Sequence, residues 1–566
     1  MEQASIHHNM NNRIAFVAYE TPYAPCGGIA AVMRYLPGYL KQASGYPTIL
    51  ITPYHKNISK TKSLKDKLEP IGSIEVKFRT DSIQVMILRL AGEIPYYFLK
   101  PEDHRFFAGR YHPYDVGKSP TEISRVLRRD ALLFGAAVSK SLLLLEPDDQ
   151  WILLLQDWEA ATVALTLNSY APNIHAKVYL TLHNSYDSRA RDRDLIPFNI
   201  DPSTCPGKTI LNRSLPLVEH SVFTVSEQFA LDLKDEILHS KILAPHLTAT
   251  LEKRLKGINN GLFADLSIDQ DVLRRAVDGD FTCLENWKRL QRSQAFESLL
   301  LKLNSHETPI WGDASRFDRE NEVLFIIGGR DDSRQKGYDL ACSAITRFLE
   351  QRGKAGFIFL PIPGDEGLPG LSFLKNLSSR FPNNVLVLPF IFQEGYHKFL
   401  QGATYGIMPS FYEPFGMANE FYMKGTVGIG RATGGIVQQI VPVRNVPSFS
   451  TAVKIRSDYW HSATAKPTGL LFREKDNLPN AISDWRVINE AKYDAQGGDP
   501  NRVAQREQLL VFQEMVNELL LCIKDAVHLF ERQPTWYYEL LMEGVTFLTN
   551  HFSWERTADS YNRFIT

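Results

Sequence analysis

The chain of 566 residues is poor in cysteine and almost without net charge. Its five cysteines, Cys26, Cys205, Cys283, Cys342 and Cys522, are scattered with no CxxC pair and no metal-ligand spacing, so neither a disulfide framework nor a zinc site is signalled and a reducing compartment fits best. A formal charge of −1 removes any general electrostatic attraction to nucleic acid or to an anionic membrane. No apolar run approaches the roughly 20 residues of a membrane span. The opening MEQASIHHNMNNR is polar and lacks the apolar core of a signal peptide, and His7 and His8 read as a tail rather than a ligand pair. No GxGxxG follows a strand, and Gly27 with Gly28 is only a glycine pair, which argues against two independent dinucleotide-binding domains. The expectation is a cytoplasmic protein with no metal, no nucleic-acid partner and no membrane span, whose oligomeric state cannot be read.

What is present is a repeated α/β grammar. The length is too great for one core and implies two domains. From Arg13 the text runs as an apolar strand, a glycine loop, an amphipathic helix and a second strand, a βαβ unit. Further apolar runs at 151–155, 177–182 and 221–225 continue the alternation and predict a doubly wound sheet. A second cycle starts at VLFIIGGR (323–330), passes through the helix-like KGYDLACSAITRFLEQRG, and goes on to AGFIFLPIPG, VLVLPF and YGIMPS as strands. The polar stretch 264–320 reads as inter-domain, and 477–534 as a largely helical elaboration.

Within the second cycle, 411–436 (FYEPFGMANEFYMKGTVGIGRATGGI) carries the strongest chemical signal. Glu413 precedes a turn into a helix, and a short apolar strand then ends in Arg431, Ala432, Thr433, Gly434 and Gly435. Two glycine turns at strand-to-helix junctions suit a diphosphate, because helix-start N–H groups are partly positive and glycine admits close approach.

This stretch resembles the sugar-nucleotide signature of the bacterial glycogen and plant starch synthases, roughly SRFEPCGLTQLYAMRYGTVPVVRATGGL, with one residue fewer between EPFG and GTV. The resemblance runs almost end to end and identifies the chain as a divergent member of these retaining glycosyltransferases. It implies the GT-B fold, two Rossmann-like domains facing across a cleft. The expected division is an acceptor-side domain 1–262, a nucleotide-sugar domain 263–535 with its elaboration at 477–534, and a helix 536–566 returning to the first domain. HFSWERTADSY (551–561) resembles the family's closing FSWERSAREY.

Four constellations follow. In YAPCGG (23–28), Gly27 and Gly28 form either a phosphate loop or a tight strand–helix connection; the family reads KTGGLADV there, so Pro25 and Cys26 replace Lys-Thr and Ala31 replaces an aspartate. In LQDWE (155–159), Asp157 and Trp158 of the family's HDWH are kept while Gln156 and Glu159 replace both histidines. Asp157 and Trp158 either bind a sugar or serve as helix N-cap and core tryptophan, and Glu159 is a candidate for acceptor hydroxyls. TLHN (181–184) resembles TIHN and brings His183 and Asn184 to a strand end. In GGRDDSRQKG (328–337), Arg330 and Lys336 map to the cations that neutralise the leaving diphosphate; their wider spacing is closer to the GRYEFSNKG of the eukaryotic synthases. The alternative for that pair is a solvated loop.

By the same resemblance Glu413 contacts the donor sugar, Gly416, Met417 and Ala418 open a helix toward the diphosphate, and Thr433, Gly434 and Gly435 form the second phosphate loop. Glu420 stands seven residues after Glu413, where the common retaining pattern uses eight, and receives no role. The expected activity is hexose transfer, with glucose the leading sugar, from ADP-glucose or UDP-glucose to a saccharide or other hydroxyl, with no cofactor. The competing expectation is a non-catalytic glucan- or nucleotide-binding regulator, favoured by the replaced lysine and histidines.

Overall fold

The computed structural model describes residues 12–56, 58, 62–107, 120–304, 309–315, 317, 322–364, 367–490 and 501–566. His7, His8 and the 491–500 part of the predicted helical elaboration lie outside them. The chain divides into two compact units: unit 1 holds Met1–Val225, Ala244–Gly261 and Trp554–Thr566, and unit 2 holds Ser226–Leu243 and Leu262–Ser553.

Among the described residues unit 1 carries nine strands: β1 (Asn12–Ala18), β2 (Thr48–Pro53), β3 (Leu68–Phe78), β4 (Asp81–Leu90), β5 (Tyr96–Pro101), β6 (Gln150–Gln156), β7 (Ala176–Leu182), β8 (Val222–Thr224) and β9 (Leu255–Gly257). Their order is β3-β4-β5-β2-β1-β6-β7-β8-β9. From β5 to β9 the neighbours are parallel, and β3, β4 and β5 pair antiparallel. The parallel strands read as continuous apolar runs because both faces are covered. Residues 14–18 of β1 are fully buried. β3 and β4 alternate instead, as SIEVKF and DSIQVMI do in sequence, with one face turned out. The helix Gly28–Ser44 after β1 ends at Gly45 (φ +72°), whose N–H bonds back to the Lys41 carbonyl.

The helix Trp554–Ile565 closes unit 1 from the far end of the chain. Trp554 stacks on Tyr35 at 5.5 Å, the Thr557 hydroxyl donates to the Asn259 carbonyl at 2.7 Å, and the Thr181 and Tyr561 hydroxyls bond at 3.2 Å. A Cβ on Gly261 would meet Trp554 at 2.6 Å, so glycine is required there.

Among the described residues unit 2 carries six strands, all parallel: β10 (Leu324–Arg330), β11 (Gly356–Ile362), β12 (Val385–Val387), β13 (Tyr405–Met408), β14 (Val427–Arg431) and β15 (Leu470–Phe472). Their order, β12-β11-β10-β13-β14-β15, is the 3-2-1-4-5-6 of a dinucleotide-binding fold. The stretch 264–320 supplies the helix Phe281–Asn304, which packs on the helix Gln393–Gly402 inside this unit. Lys288 pins it: the ammonium donates to the carbonyls of Gln401, Ala403 and Gly425. Among the described residues no helix is long and apolar enough to cross a membrane.

Candidate functional site

In an open parallel sheet, ligands bind beyond the carboxyl ends of the strands where the strand order reverses. In unit 2 that point lies between β10 and β13, and in unit 1 between β1 and β6. A polar cluster sits at each.

In unit 2, β10 ends at Arg330 and the chain turns through 331–337 into the helix Tyr338–Glu350. The turn is held by the Asp332 carbonyl, which accepts from the Gln335 and Lys336 N–H groups. Gly337 takes φ +60°, and a Cβ there would lie 2.2 Å from the Pro409 carbonyl oxygen. The two loops at this point are therefore in backbone contact, fastened by Phe411 N–H donating to the Gln335 carbonyl at 2.7 Å.

This brings Lys336 and Glu413 together. The Lys336 ammonium donates to Glu413 Oε2 at 2.6 Å, and the Ser410 hydroxyl donates to the same oxygen at 2.9 Å. Glu413 is only 8% exposed. Among the described residues no hydrogen bond falls on its Oε1, so the carboxylate is clamped by one oxygen and offers the other. Arg330 is a neighbour of Asp332, at 3.3 Å. Sequence reasoning missed Ser410 as a functional partner, although it lies three residues before the glutamate.

Gly416 (φ +91°) packs beneath Glu413: a Cβ there would meet Glu413 Cγ at 2.9 Å. Met417 precedes the short helix Ala418–Met423, and Ala418 is fully buried. Gly434 (φ +46°) lies so close to the Glu413 carbonyl that a Cβ would stand 1.7 Å from it. The expected second phosphate loop is already engaged inside the unit. Gly434 N–H donates to Asp232 Oδ2 at 2.7 Å, the Thr433 hydroxyl to the same oxygen at 3.3 Å, and Gly435 N–H to the carbonyls of Glu413 and Pro414. Glu420 is half-buried, and desolvation raises its carboxyl while it interacts with Tyr396.

Asp232 comes from the helix Glu227–Asp235, far away in sequence, and belongs to a buried ionic cluster that no local pattern announces. Arg456 meets Asp232 at 3.0 Å, Arg473 pairs with Glu236, and Arg431 pairs with Glu474 while donating to the Phe411 carbonyl. Three guanidinium groups balance three carboxylates, as burial at this depth demands. Burial works against the Glu236 charge, yet Arg473, Arg431 and Arg456 hold its carboxyl well below the usual range. Asp232 is raised by burial and by the Glu236 charge, against the pull of Arg456 and Arg473.

In unit 1, Glu20 follows β1 and is almost wholly buried. Its Oε1 accepts from the N–H groups of Cys26 (2.9 Å), Gly27 and Ala30 (3.1 Å). The helix Gly28–Ser44 has no acidic residue in its first turn, so this carboxylate supplies the negative partner its start requires. A Cβ on Gly28 would meet nothing within 4 Å, and one on Gly27 would lie 3.8 Å from Glu20 Oε2.

At the end of β6, Asp157 adopts φ +61°, a strained conformation for a residue other than glycine. Its side chain does not cap its own helix. It reaches the end of β7, accepting from His183 N–H at 2.6 Å and from Asn184 Nδ2 at 3.0 Å. Burial raises the Asp157 carboxyl to about 7; the His183 N–H opposes the rise and the Glu20 charge adds to it. His183 Nε2 lies 2.8 Å from Gln156 Oε1, so the amide oxygen selects the tautomer with the proton on Nε2. Burial lowers His183 to about 3, and the ring is neutral. Trp158 and Glu159 are buried in the first turn of the helix Asp157–Tyr170. Asp157, His183, Asn184 and Glu20 are thus neighbours, with Gln156 a member of the set that sequence reasoning treated only as a replacement.

Two doubly wound sheets in one chain, each with a polar cluster at its switch point, belong to the architecture of GT-B glycosyltransferases, and comparison with known proteins agrees. The catalytic domain of starch synthase IV from Arabidopsis thaliana, bound to ADP and acarbose, shares the fold with a TM-score of 0.66 at 18% identity, covering 98% of both chains. The starch synthase catalytic domain family matches residues 13–247. A glycogen synthase of Kosmotoga olearia is 26% identical over 439 residues, covering 75% of this chain and 82% of that protein. One from Thermotoga maritima is 26% identical over 506 residues, covering 84% and 93%. By these similarities the chain resembles the glycogen and starch synthases in sequence and shares their fold, which supports a glycosyltransferase.

Proposed function

We propose that the chain is a retaining hexosyltransferase that moves glucose from ADP-glucose or UDP-glucose to a saccharide hydroxyl. The observation that carries this reading is the Lys336–Glu413–Ser410 set at the switch point of the 3-2-1-4-5-6 sheet. Unit 2 takes the donor. Glu413 receives the sugar hydroxyls on its unengaged oxygen, and Arg330 and Lys336 neutralise the departing diphosphate, with Gly416, Met417 and Ala418 at the adjoining helix start. Lys336 exchanges part of its contact with Glu413 for the phosphate. As the bond from sugar C1 to the diphosphate oxygen breaks, its electron pair leaves with the nucleotide. The acceptor oxygen bonds to C1 on the same face, and its proton passes to the departing phosphate. Fixed cations stabilise charge that develops only in the transition state, so the reaction needs no metal.

Unit 1 supplies the acceptor-side groups, Asp157, Trp158, Glu159, His183 and Asn184. Glu20 takes up the Cys26, Gly27 and Ala30 N–H groups, which supports reading Gly27 and Gly28 as a strand–helix connection here. Among the described residues no disulfide links the five cysteines, in keeping with the expectation of a reducing, cytoplasmic setting. None of the comparisons favours a non-catalytic regulator. The test is transfer of labelled glucose from ADP-glucose and from UDP-glucose, with glycogen, maltooligosaccharides or no acceptor. Label appearing in the saccharide is expected; saturable nucleotide binding without transfer from either donor would replace the enzyme with a binding protein.

A further inference from the structure

After β15, the helix Asn501–Arg506 reaches both loops of the unit 2 cluster through one side chain. Arg506, at the end of the helix Asn501–Arg506, is completely buried. Its Nη1 donates to Asp339 Oδ2 at 2.5 Å, in the first turn of the helix that follows Lys336. Its Nη2 donates to the Ser333 carbonyl at 2.8 Å, midway between Arg330 and Lys336, and to the Ile488 carbonyl. The face of the same guanidinium lies 5.1 Å from the Phe411 ring, next to Ser410 and two residues before Glu413. Phe411 is in turn met edge-on by Trp485 at 6.0 Å, and Trp485 carries Arg431 over its own face at 5.3 Å. The helix Ala481–Glu490 is tied to the next long helix by Val511 N–H donating to Asp484 Oδ2 at 3.1 Å.

We infer that Arg506 is a positioning residue for donor turnover, and that Arg506 together with Trp485 of the helix Ala481–Glu490 forms a clamp that sets the separation of Lys336 from Glu413. The inference rests on the proposed donor role of those two residues. A planar guanidinium can donate in two directions within its plane and stack on an aromatic ring through its face. Here those three uses fall on one helix and on each of the two loops. Loop 331–337 has the Ser333 carbonyl and Asp339 as its fixed points, and loop 410–416 has Phe411. A lysine offers no plane to stack and cannot span the same acceptors.

The test is Arg506→Lys, with the double variant Arg506→Met/Asp339→Asn as a second form that leaves no buried charge unpaired. For folded protein of either variant, kcat is expected to fall at least tenfold and the KM for the nucleotide sugar to rise, with the acceptor KM unchanged. Amide hydrogen exchange supplies a readout independent of activity. The Lys336 amide, which bonds to the Asp332 carbonyl within its loop, and the Phe411 amide, which bonds to the Gln335 carbonyl across the two loops, should exchange at least tenfold faster, while the β10 and β13 ladder amides keep their protection. Loop exchange within twofold of the wild type would overturn the clamp whether or not the protein transfers glucose. An active wild type with unchanged kcat in both variants would overturn the positioning role and leave the proposed function standing. Absence of transfer in the wild type would refute the proposed function alone.

Discussion

Replacing Lys336 with alanine separates catalysis from stability. In the folded protein its ammonium stands 2.6 Å from Glu413 Oε2, with the lysine side chain 24% exposed and the glutamate side chain 10% exposed. Loss of a charge-assisted bond costs about 1.5–3 kcal/mol, and loss of one partner of a fully buried pair about 3–5 kcal/mol. The partial exposure of Lys336 and the Ser410 bond that remains on Glu413 place the cost at the low end, about 2 kcal/mol. For a unit of this size that lowers the melting temperature by roughly 4–8 °C, which leaves the protein folded at 25 °C. The catalytic effect is larger. A preorganised group facing charge that develops in the transition state is worth about 100- to 1000-fold in kcat. Initial rates with saturating ADP-glucose or UDP-glucose, normalised to folded protein by circular dichroism, should fall by that factor. A rate within threefold of the wild type, or a loss that merely tracks the unfolded fraction, would refute the assignment of Lys336 to the leaving diphosphate.

Two further outcomes follow from the geometry. Asp157 titrates near 7 in the folded state against 3.8 for the free carboxyl. A raised folded value gives stability that is full below the unfolded pKa and lost as pH rises through the folded one. Urea denaturation of wild type against Asp157→Asn should therefore shift against the wild type by about 1.4 kcal/mol per pH unit between about pH 4 and 7; a pH-independent difference would contradict it. Gly434→Ala should abolish soluble expression or cost more than about 4 kcal/mol, because the new methyl would overlap the Glu413 carbonyl and the residue would keep a positive φ. A melting temperature within about 2 °C of the wild type would count against that packing.

The parallel sheets were legible because each strand is an unbroken apolar run and each turn after it carries its own punctuation. VLFIIGGR and YGIMPS became β10 and β13, and the helix, strand and glycine turn expected within 411–436 all form. Lys336 and Glu413 were singled out separately by the resemblance, and it is the fold that brings them together at the strand tips. Glu20 was missed because an acid eight residues ahead of a helix looks like any polar residue in a loop. Asp232, Glu236 and Arg506 were missed for another reason: their partners lie more than 160 residues away, and two acids four residues apart at the end of a short helix read as a solvated surface. The antiparallel strands β3 and β4 did carry period-two alternation, but the alternation grammar of a doubly wound sheet drew attention away from it.

The order in which the ribosome delivers these segments also matters. Unit 1 contains β1 near the beginning of the chain, yet its Trp554–Thr566 segment is made after all of unit 2. Until then Tyr35, Gly261 and Thr181 lack Trp554 and Tyr561, and an apolar surface on the first sheet's helices stays open during synthesis. The first unit therefore gains its last helix only when the chain is almost fully made, so its fold is completed after translation of the second unit rather than before it.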